Sequence, residues 1–403
     1  MANDVPEPVQ RFIEYLQIKT VQPTPDYIAC TEFLRKQAQE IGLEFSVTEC
    51  VAGKPIVVLT LQGQDPGLPS ILLNSHTDVV PVFANSWTQP PFGGTRVADK
   101  VDGHRIYARG AQDMKIVGMG YLEALRELKR QDKRLKRTVH AVYVPDEEIG
   151  GHDGMEKFVE SQVFQRLNAG FALDEGMANP EQALRVFYGE RAPCWIKFVA
   201  HGNAGHGSQF IKDTAGEKLS VVIDRMLQFR KEQLAALNQP RSDGSLRTLG
   251  DVTSTNLTLL KAGVQHNVVP EQAMVGFDIR MTPSVDYKEF RQWLEQLARD
   301  CGVEIEFVQF WSDNTMTPTS KDDLFWAAFE GAASGLGYDV FKEIFPAATD
   351  SRYLRRAGVP ALGVSPLCGL PILLHDHDEY VRESDFTAAI DFYVAVVSAL
   401  ANA

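Results

Sequence analysis

Basic residues are in the minority in this chain. Its 403 residues hold 40 Lys and Arg against 53 Asp and Glu, a formal net charge of −13. A general nucleic-acid binder needs a basic face to hold phosphates, and a lipid-docking protein needs cations against anionic headgroups, so neither partner is expected. Cysteine is scarce and scattered: Cys30, Cys50, Cys194, Cys301 and Cys368 are odd in number and include no C-x-x-C pair. That argues against a secreted disulfide framework and against a structural zinc held by thiolates, and it fits reduced thiols in the cytoplasm. No run of about 18 consecutive apolar residues occurs, so no membrane span is expected. The opening Met1-Ala2-Asn3-Asp4-Val5-Pro6 has neither a basic nor an apolar stretch of the kind a signal peptide needs. Also missing are the G-x-S-x-G elbow, the phosphate-binding G-x-x-x-x-G-K-[ST] loop and H-E-x-x-H. Gly118-Met119-Gly120 leaves a dinucleotide fingerprint unfinished, because position 123 is Glu.

What is present is ordinary for a folded chain: 44% apolar and 23% charged residues, at a length that buries a large core unaided. Segments 7–19 and 26–41 read as helices. Val57–Leu61, Ile71–Leu73, Val139–Val144 and Phe171–Leu173 read as strands. Met114, Val117, Tyr121, Leu125 and Leu128 recur at helical spacing and place 113–131 on an amphipathic helix. The middle third instead alternates as half-buried strands do, at Trp195–Val199, Leu257–Lys261 and Met274–Ile279. Two apolar-striped helices accompany them, one with Leu219, Val222, Met226 and Phe229, the other with Phe290, Trp293, Leu294 and Leu297. After residue 311 the α/β style returns. The expected fold class is therefore α/β with a mostly parallel central sheet, over 1–189 and 311–403, interrupted by an inserted α+β sandwich over 190–310.

Five clusters of acids and histidines follow apolar strands or open a helix. In open α/β sheets the carboxyl ends of strands are where ligands bind. His76 and Asp78 end the first strand, and Asp78 is placed to accept the imidazole N–H that His76 does not turn to a metal. A turn histidine beside a capping acid is the plainer alternative. Asp113 opens the long helix, either as a simple N-cap or as a carboxylate projected into a cleft. Asp146-Glu147-Glu148 puts three carboxylates together, which need a cation or solvent. On extended backbone the two glutamates would point opposite ways, one to a metal and one to a substrate. Asp174-Glu175 closes another strand, and His375-Asp376-His377-Asp378-Glu379 is a dense late cluster. Two histidines and three carboxylates suit a pair of divalent cations, between which two-metal hydrolases activate a water.

The order His-x-Asp, Asp, Glu-Glu, Asp-Glu, His resembles the M20 family of dinuclear zinc metallopeptidases and amidohydrolases. The stretches Asn74–Pro81, Tyr107–Lys115 and Phe171–Gly176 are similar to the branch that hydrolyses N-acyl-L-amino acids. The resemblance implies two Zn²⁺ per chain: His76 and Glu175 on one, Glu148 and His375 on the other, Asp113 bridging. It implies Glu147 as general base and Asp78 as the residue that orients His76. His375 is preferred to His377 because an acid, Glu379, follows it by four. The resemblance also implies a catalytic α/β domain with an inserted lid that mediates a homodimer, and a lid histidine, His206, that supports the oxyanion. Asn267 and Arg280 match substrate-side residues, although an ion pair within a lid strand explains Arg280 nearly as well; Arg352 is the alternative reader of a substrate carboxylate. The implied activity is hydrolysis of an N-acyl-L-amino acid to a carboxylate and a free amino acid. A dipeptidase, a carboxypeptidase or an acetylornithine-type deacetylase would use the same site. A non-catalytic binder of amino-acid conjugates would have lost a ligand or the base, and none is missing.

Overall fold

The computed structural model describes residues 5–242 and 244–403, and the chain divides into two compact units. The first takes in the described residues up to Tyr188, Thr317–Lys342 and Thr349–Ala403; the second takes in Gly189–Met316 and Glu343–Ala348. The second unit is wider than the expected 190–310, because the chain beyond the Glu304–Phe310 strand and the short Glu343–Ala348 stretch group with it.

The larger sheet has eight strands, in the spatial order Glu44–Val51, Lys54–Leu61, Val139–Val144, Ser70–His76, Ala169–Asp174, Ala361–Val364, Leu184–Glu190, Val340–Phe345. Val139–Val144, Ser70–His76, Ala169–Asp174 and Ala361–Val364 run parallel to one another, and antiparallel strands flank them. Every residue of Ser70–His76 and Val139–Val144 is buried, as expected of central strands covered on both faces. Ile71 pairs with Val139 and His76 with Val144, so these two strands end level. The Lys115–Arg130 helix lies directly on them. A Cβ on Gly118 would stand 2.6 Å from Ser75 Oγ, and one on Gly120 would stand 2.8 Å from the Tyr393 ring. Only glycine permits approach that close.

Among the described residues the Glu383–Asn402 helix alone is long and apolar enough to cross a membrane by length and composition. Its Phe386, Phe392, Tyr393, Val396, Val397 and Leu400 instead pack into the core of the first unit. A three-stranded antiparallel sheet joins Thr95–Asp99, Gly103–Tyr107 and Tyr380–Arg382, which brings the 375–379 loop beside residues 108–113.

The second unit has its own four-stranded antiparallel sheet, ordered Ser254–Ala262, Gln272–Met281, Ala192–His201, Glu304–Phe310. Helices Ala215–Leu237 and Tyr287–Cys301 contribute Leu219, Val222, Met226, Phe290 and Leu294 to a core separate from that of the first unit. Thr214 and Glu217 form a reciprocal capping box at the start of the first of these helices.

Candidate metal centre

Three parallel strands deliver His76, the Glu147-Glu148 pair and Glu175 to the same sheet end. His76 is 1% exposed. Its Nδ1 lies 2.9 Å from the backbone oxygen of Asp78. A carbonyl only accepts, so the proton sits on Nδ1 and Nε2 faces the cluster. Nε2 is 3.0 Å from Asp113 Oδ1, 3.7 Å from Glu175 Oε2 and 4.0 Å from Glu147 Oε2. The other oxygen of Asp113, Oδ2, is 3.2 Å from His375 Nε2, which is also 3.1 Å from Glu148 Oε2. The Asp113 carboxylate thus stands between two imidazoles.

Two sets of donor atoms form, each with its members within 4.8 Å of one another: His76, Asp113 and Glu148, and His76, Glu147 and Glu175. Glu148 Oε1 is buried without a hydrogen-bond partner. Nitrogen and oxygen donors and an orphaned carboxylate oxygen fit divalent cations of the hard-to-borderline kind. The electrostatics agree. Burial pushes Glu147 well up, and the charge of Glu175 pushes it further. Glu175 is raised by burial and then by Asp113. Glu148 is raised to about 7 by burial and by Asp113. The His375 imidazole is raised to about 10 by its hydrogen bonds to Asp113 and Glu148. For His76, burial disfavours the charged ring, but Glu175 and Asp113 outweigh it and the net shift is upward. The cluster holds more negative charge than its own residues offset, and dications would relieve it.

The residues that hold these groups are less visible in sequence. The helix begins at Lys115 with Met114 as its N-cap, so Asp113 is not the helix cap. Asp113 is fixed by Glu379, a fully buried carboxylate. Glu379 Oε1 accepts from the amides of Gln112 and Asp113 at 2.5 and 3.1 Å; Oε2 accepts from Arg109 Nη1 and the Gly110 amide at 2.8 and 3.1 Å. The expected extended backbone at Glu147-Glu148 is instead a 3-10 turn, Glu147–Ile149, entered through Asp146 at φ 64°. Asp78 shapes that turn: its Oδ1 accepts from the Glu147 amide at 3.1 Å and its Oδ2 from the Glu148 amide at 3.2 Å. The Asp78 carboxylate itself is 3.7 Å from His76 Nδ1, so the main chain rather than the side chain of residue 78 sets the imidazole. Beneath Glu175, Asp174 accepts from Asn74 Nδ2 at 3.0 Å and from Ser351 Oγ at 2.7 Å.

Residues 72–399 match Peptidase family M20/M25/M40. The chain belongs to this family. It is 49% identical over 396 residues to Aminoacylase-1 of Mus musculus, covering 98% of this chain and 95% of that one. Among solved structures, an M20 family metallo-carboxypeptidase of Sulfolobus solfataricus superposes with a TM-score of 0.73 at 18% identity, covering 98% of this chain and 100% of that one. A dinuclear metal binding peptidase of the M20 family from Bacillus subtilis gives 0.66 at 18% identity, covering 97% and 98%. At those identities the two structures speak to the fold alone.

The M20 chain brings together the five expected ligands, His76, Asp113, Glu148, Glu175 and His375, and Glu147 with them. Glu147 falls in one donor set with His76 and Glu175, so distance by itself does not separate a base from a ligand. Arg352, also in the first unit, donates from Nη2 to the Gly150 carbonyl at 2.8 Å and lies 4.7 Å over the Tyr353 ring. His206, Asn267 and Arg280 belong to the second unit. His206 is exposed, with Nδ1 2.8 Å from Ser208 Oγ. Pairing of Gly205-His206 with Val268-Val269 sets it near Asn267, whose backbone oxygen accepts from the Gly207 amide at 2.9 Å. Arg280 forms an ion pair within its own strand, Nε 2.8 Å from Asp278 Oδ1.

Proposed function

We propose that this M20 chain is a zinc-dependent N-acyl-L-amino-acid amidohydrolase with two metal ions per chain. The observation that carries the reading is the Asp113 carboxylate set between His76 and His375, in a chain 49% identical over 396 residues to an enzyme named Aminoacylase-1. His76 and Glu175 would hold one ion, Glu148 and His375 the other, and Asp113 would bridge them. Bound divalent ions supply Lewis acidity and lower the pKa of water toward ~7.

The chain's own residues account for the proton traffic and the positioning. Glu147 is largely withdrawn from solvent, its side chain 11% exposed, and that desolvation raises its affinity for a proton. It takes the proton of the attacking water at a carboxylate oxygen and returns it to the leaving nitrogen. The water oxygen bonds to the acyl carbon, the carbon–nitrogen bond breaks, and a carboxylate and a free amino acid result. Asp78 keeps Glu147 and Glu148 in place through their amides. His206 would stabilise the oxyanion. Asn267, Arg280 and Arg352 are assigned to the substrate side, where a guanidinium reads a free carboxylate bidentately.

A homodimer formed through the second unit belongs to this reading. Ser254–Ala262 is an edge strand with Leu259 and Leu260 43% and 64% exposed, a surface that favours pairing. A cytoplasmic location is supported by five free thiols.

The test is release of amino acid from N-acetyl-L-methionine, a dipeptide and N-acetylornithine, alongside metal content. N-acetyl-L-methionine should be cleaved fastest, with near two zinc ions per chain. Preferred cleavage of the dipeptide or of N-acetylornithine would replace this reading with the corresponding peptidase or deacetylase. Glu147→Gln should lower turnover by about 10²–10⁴ with zinc retained.

A further inference from the structure

The Glu147-Glu148 turn is held from a direction that the catalytic assignment does not use. Asp146 is 1% exposed and sits in the left-handed region. Its Oδ1 accepts from Tyr27 Oη at 2.6 Å and from Gln22 Nε2 at 3.0 Å, and its Oδ2 is 2.5 Å from Lys54 Nζ. The Asp146 amide in turn donates to Tyr27 Oη at 3.0 Å. Gln22 Nε2 also lies 2.8 Å from Asp78 Oδ2. Only the NH₂ end of a carboxamide can face two carboxylates, and its two hydrogens match these two acceptors one to one. Gln22 is itself pinned, since its amide donates to the Val79 carbonyl at 3.0 Å and the Val79 amide donates to Thr20 at 2.9 Å.

We propose that Gln22 is a positioning residue for the Glu147-Glu148 turn, tying Asp78 to Asp146 through one carboxamide, with Tyr27 as the second half of the tie. Asp78 receives the amides of Glu147 and Glu148, and Asp146 begins the turn that carries them. Removing the carboxamide leaves two buried carboxylates facing each other without the donor they share. Like charges then separate, and both glutamates move with the loops they stand on. The proposal deepens the hydrolase reading and rests on it for the meaning of turnover.

Gln22→Met keeps the length of the side chain and removes the donor. At saturating zinc its kcat on N-acetyl-L-methionine should fall about 10–100-fold with KM within about threefold, and its zinc affinity, by chelator competition, should fall about 10-fold or more. Tyr27→Phe removes a single hydroxyl and carries the same test should Gln22→Met fail to fold. Because the two act as one tie, the double variant should lose less than the product of the single losses. Unchanged kcat and unchanged zinc affinity, within about twofold, would overturn the proposal, as would losses that multiply. A lowered unfolding midpoint with wild-type kcat and zinc affinity would make Gln22 merely structural. If the wild-type chain cleaves no N-acyl amino acid, the hydrolase reading falls, and zinc affinity in the same variants still decides the tie.

Discussion

Glu379→Gln changes one atom in the group that fixes Asp113, and its cost can be worked out from the four donors around it. Glutamate offers two acceptor oxygens, each taking two hydrogen bonds, and glutamine offers one. If the new NH₂ replaces Oε2, it faces Arg109 and the Gly110 amide. Arg109 is 2% exposed, and leaving a buried charge without its partner costs about 3–5 kcal/mol. If the NH₂ replaces Oε1, the amides of Gln112 and Asp113 lose their acceptor, at about 1–3 kcal/mol each. Either orientation destabilises the first unit by at least about 2 kcal/mol. Urea unfolding followed by far-UV circular dichroism reads the loss as a lowered midpoint. Adding Arg109→Met should recover stability only in the first orientation. A loss below about 1 kcal/mol, the range of an exposed ion pair, would refute the view that Glu379 is a buried anchor.

Chelation should lower the urea midpoint of the first unit, since ligands held only by the folded state add about 2.7 kcal/mol at a hundredfold excess over Kd; equal midpoints with and without chelator would exclude a folded-state metal site. His140 is 7% exposed, and burial lowers its imidazole to about 4 from 6.5. Between these values the unfolded chain binds the proton and the folded chain does not, so stability is lost as pH falls from 6.5 toward 4, by up to about 3 kcal/mol. His140→Gln should flatten that part of the stability curve relative to wild type; parallel curves would show that His140 titrates freely in the fold. His206→Ala should cut turnover by about 10²–10³ and leave unfolding unchanged, because the side chain is exposed; matched rates would remove it from oxyanion support.

The central strands could be read from sequence because burial on both faces leaves an unbroken apolar run, as in Val139–Val144. Glu44–Val51 could not: it is an edge strand without a fully buried residue, so no alternation marks it. The ligands were legible as a set: His76, Glu148 and Glu175 lie at or just beyond the ends of largely buried strands, and with Asp113 and His375 they make up the two histidines and three carboxylates that a pair of dications needs. Their supports were not. Glu379 meets residues 266–270 positions away, and it entered the sequence argument only as an acid four places after His375. Gln22 and Tyr27 are a loop amide and a helix-start phenol, residue types that carry no signal until the chain has folded. Asp113 shows a local rule yielding to a tertiary one. Aspartate caps helices well, yet Glu379 claims its amide and two imidazoles claim its carboxylate.

The backbone oxygen of residue 78 that receives His76 Nδ1 has no protonation equilibrium and no rotamer. Titration of the neighbouring carboxylate therefore leaves Nδ1–H on that oxygen, and Nε2 stays turned toward Asp113. A rate defect in an Asp78→Asn protein would report displaced glutamates, since no side-chain exchange at that position deletes the peptide group that holds the imidazole.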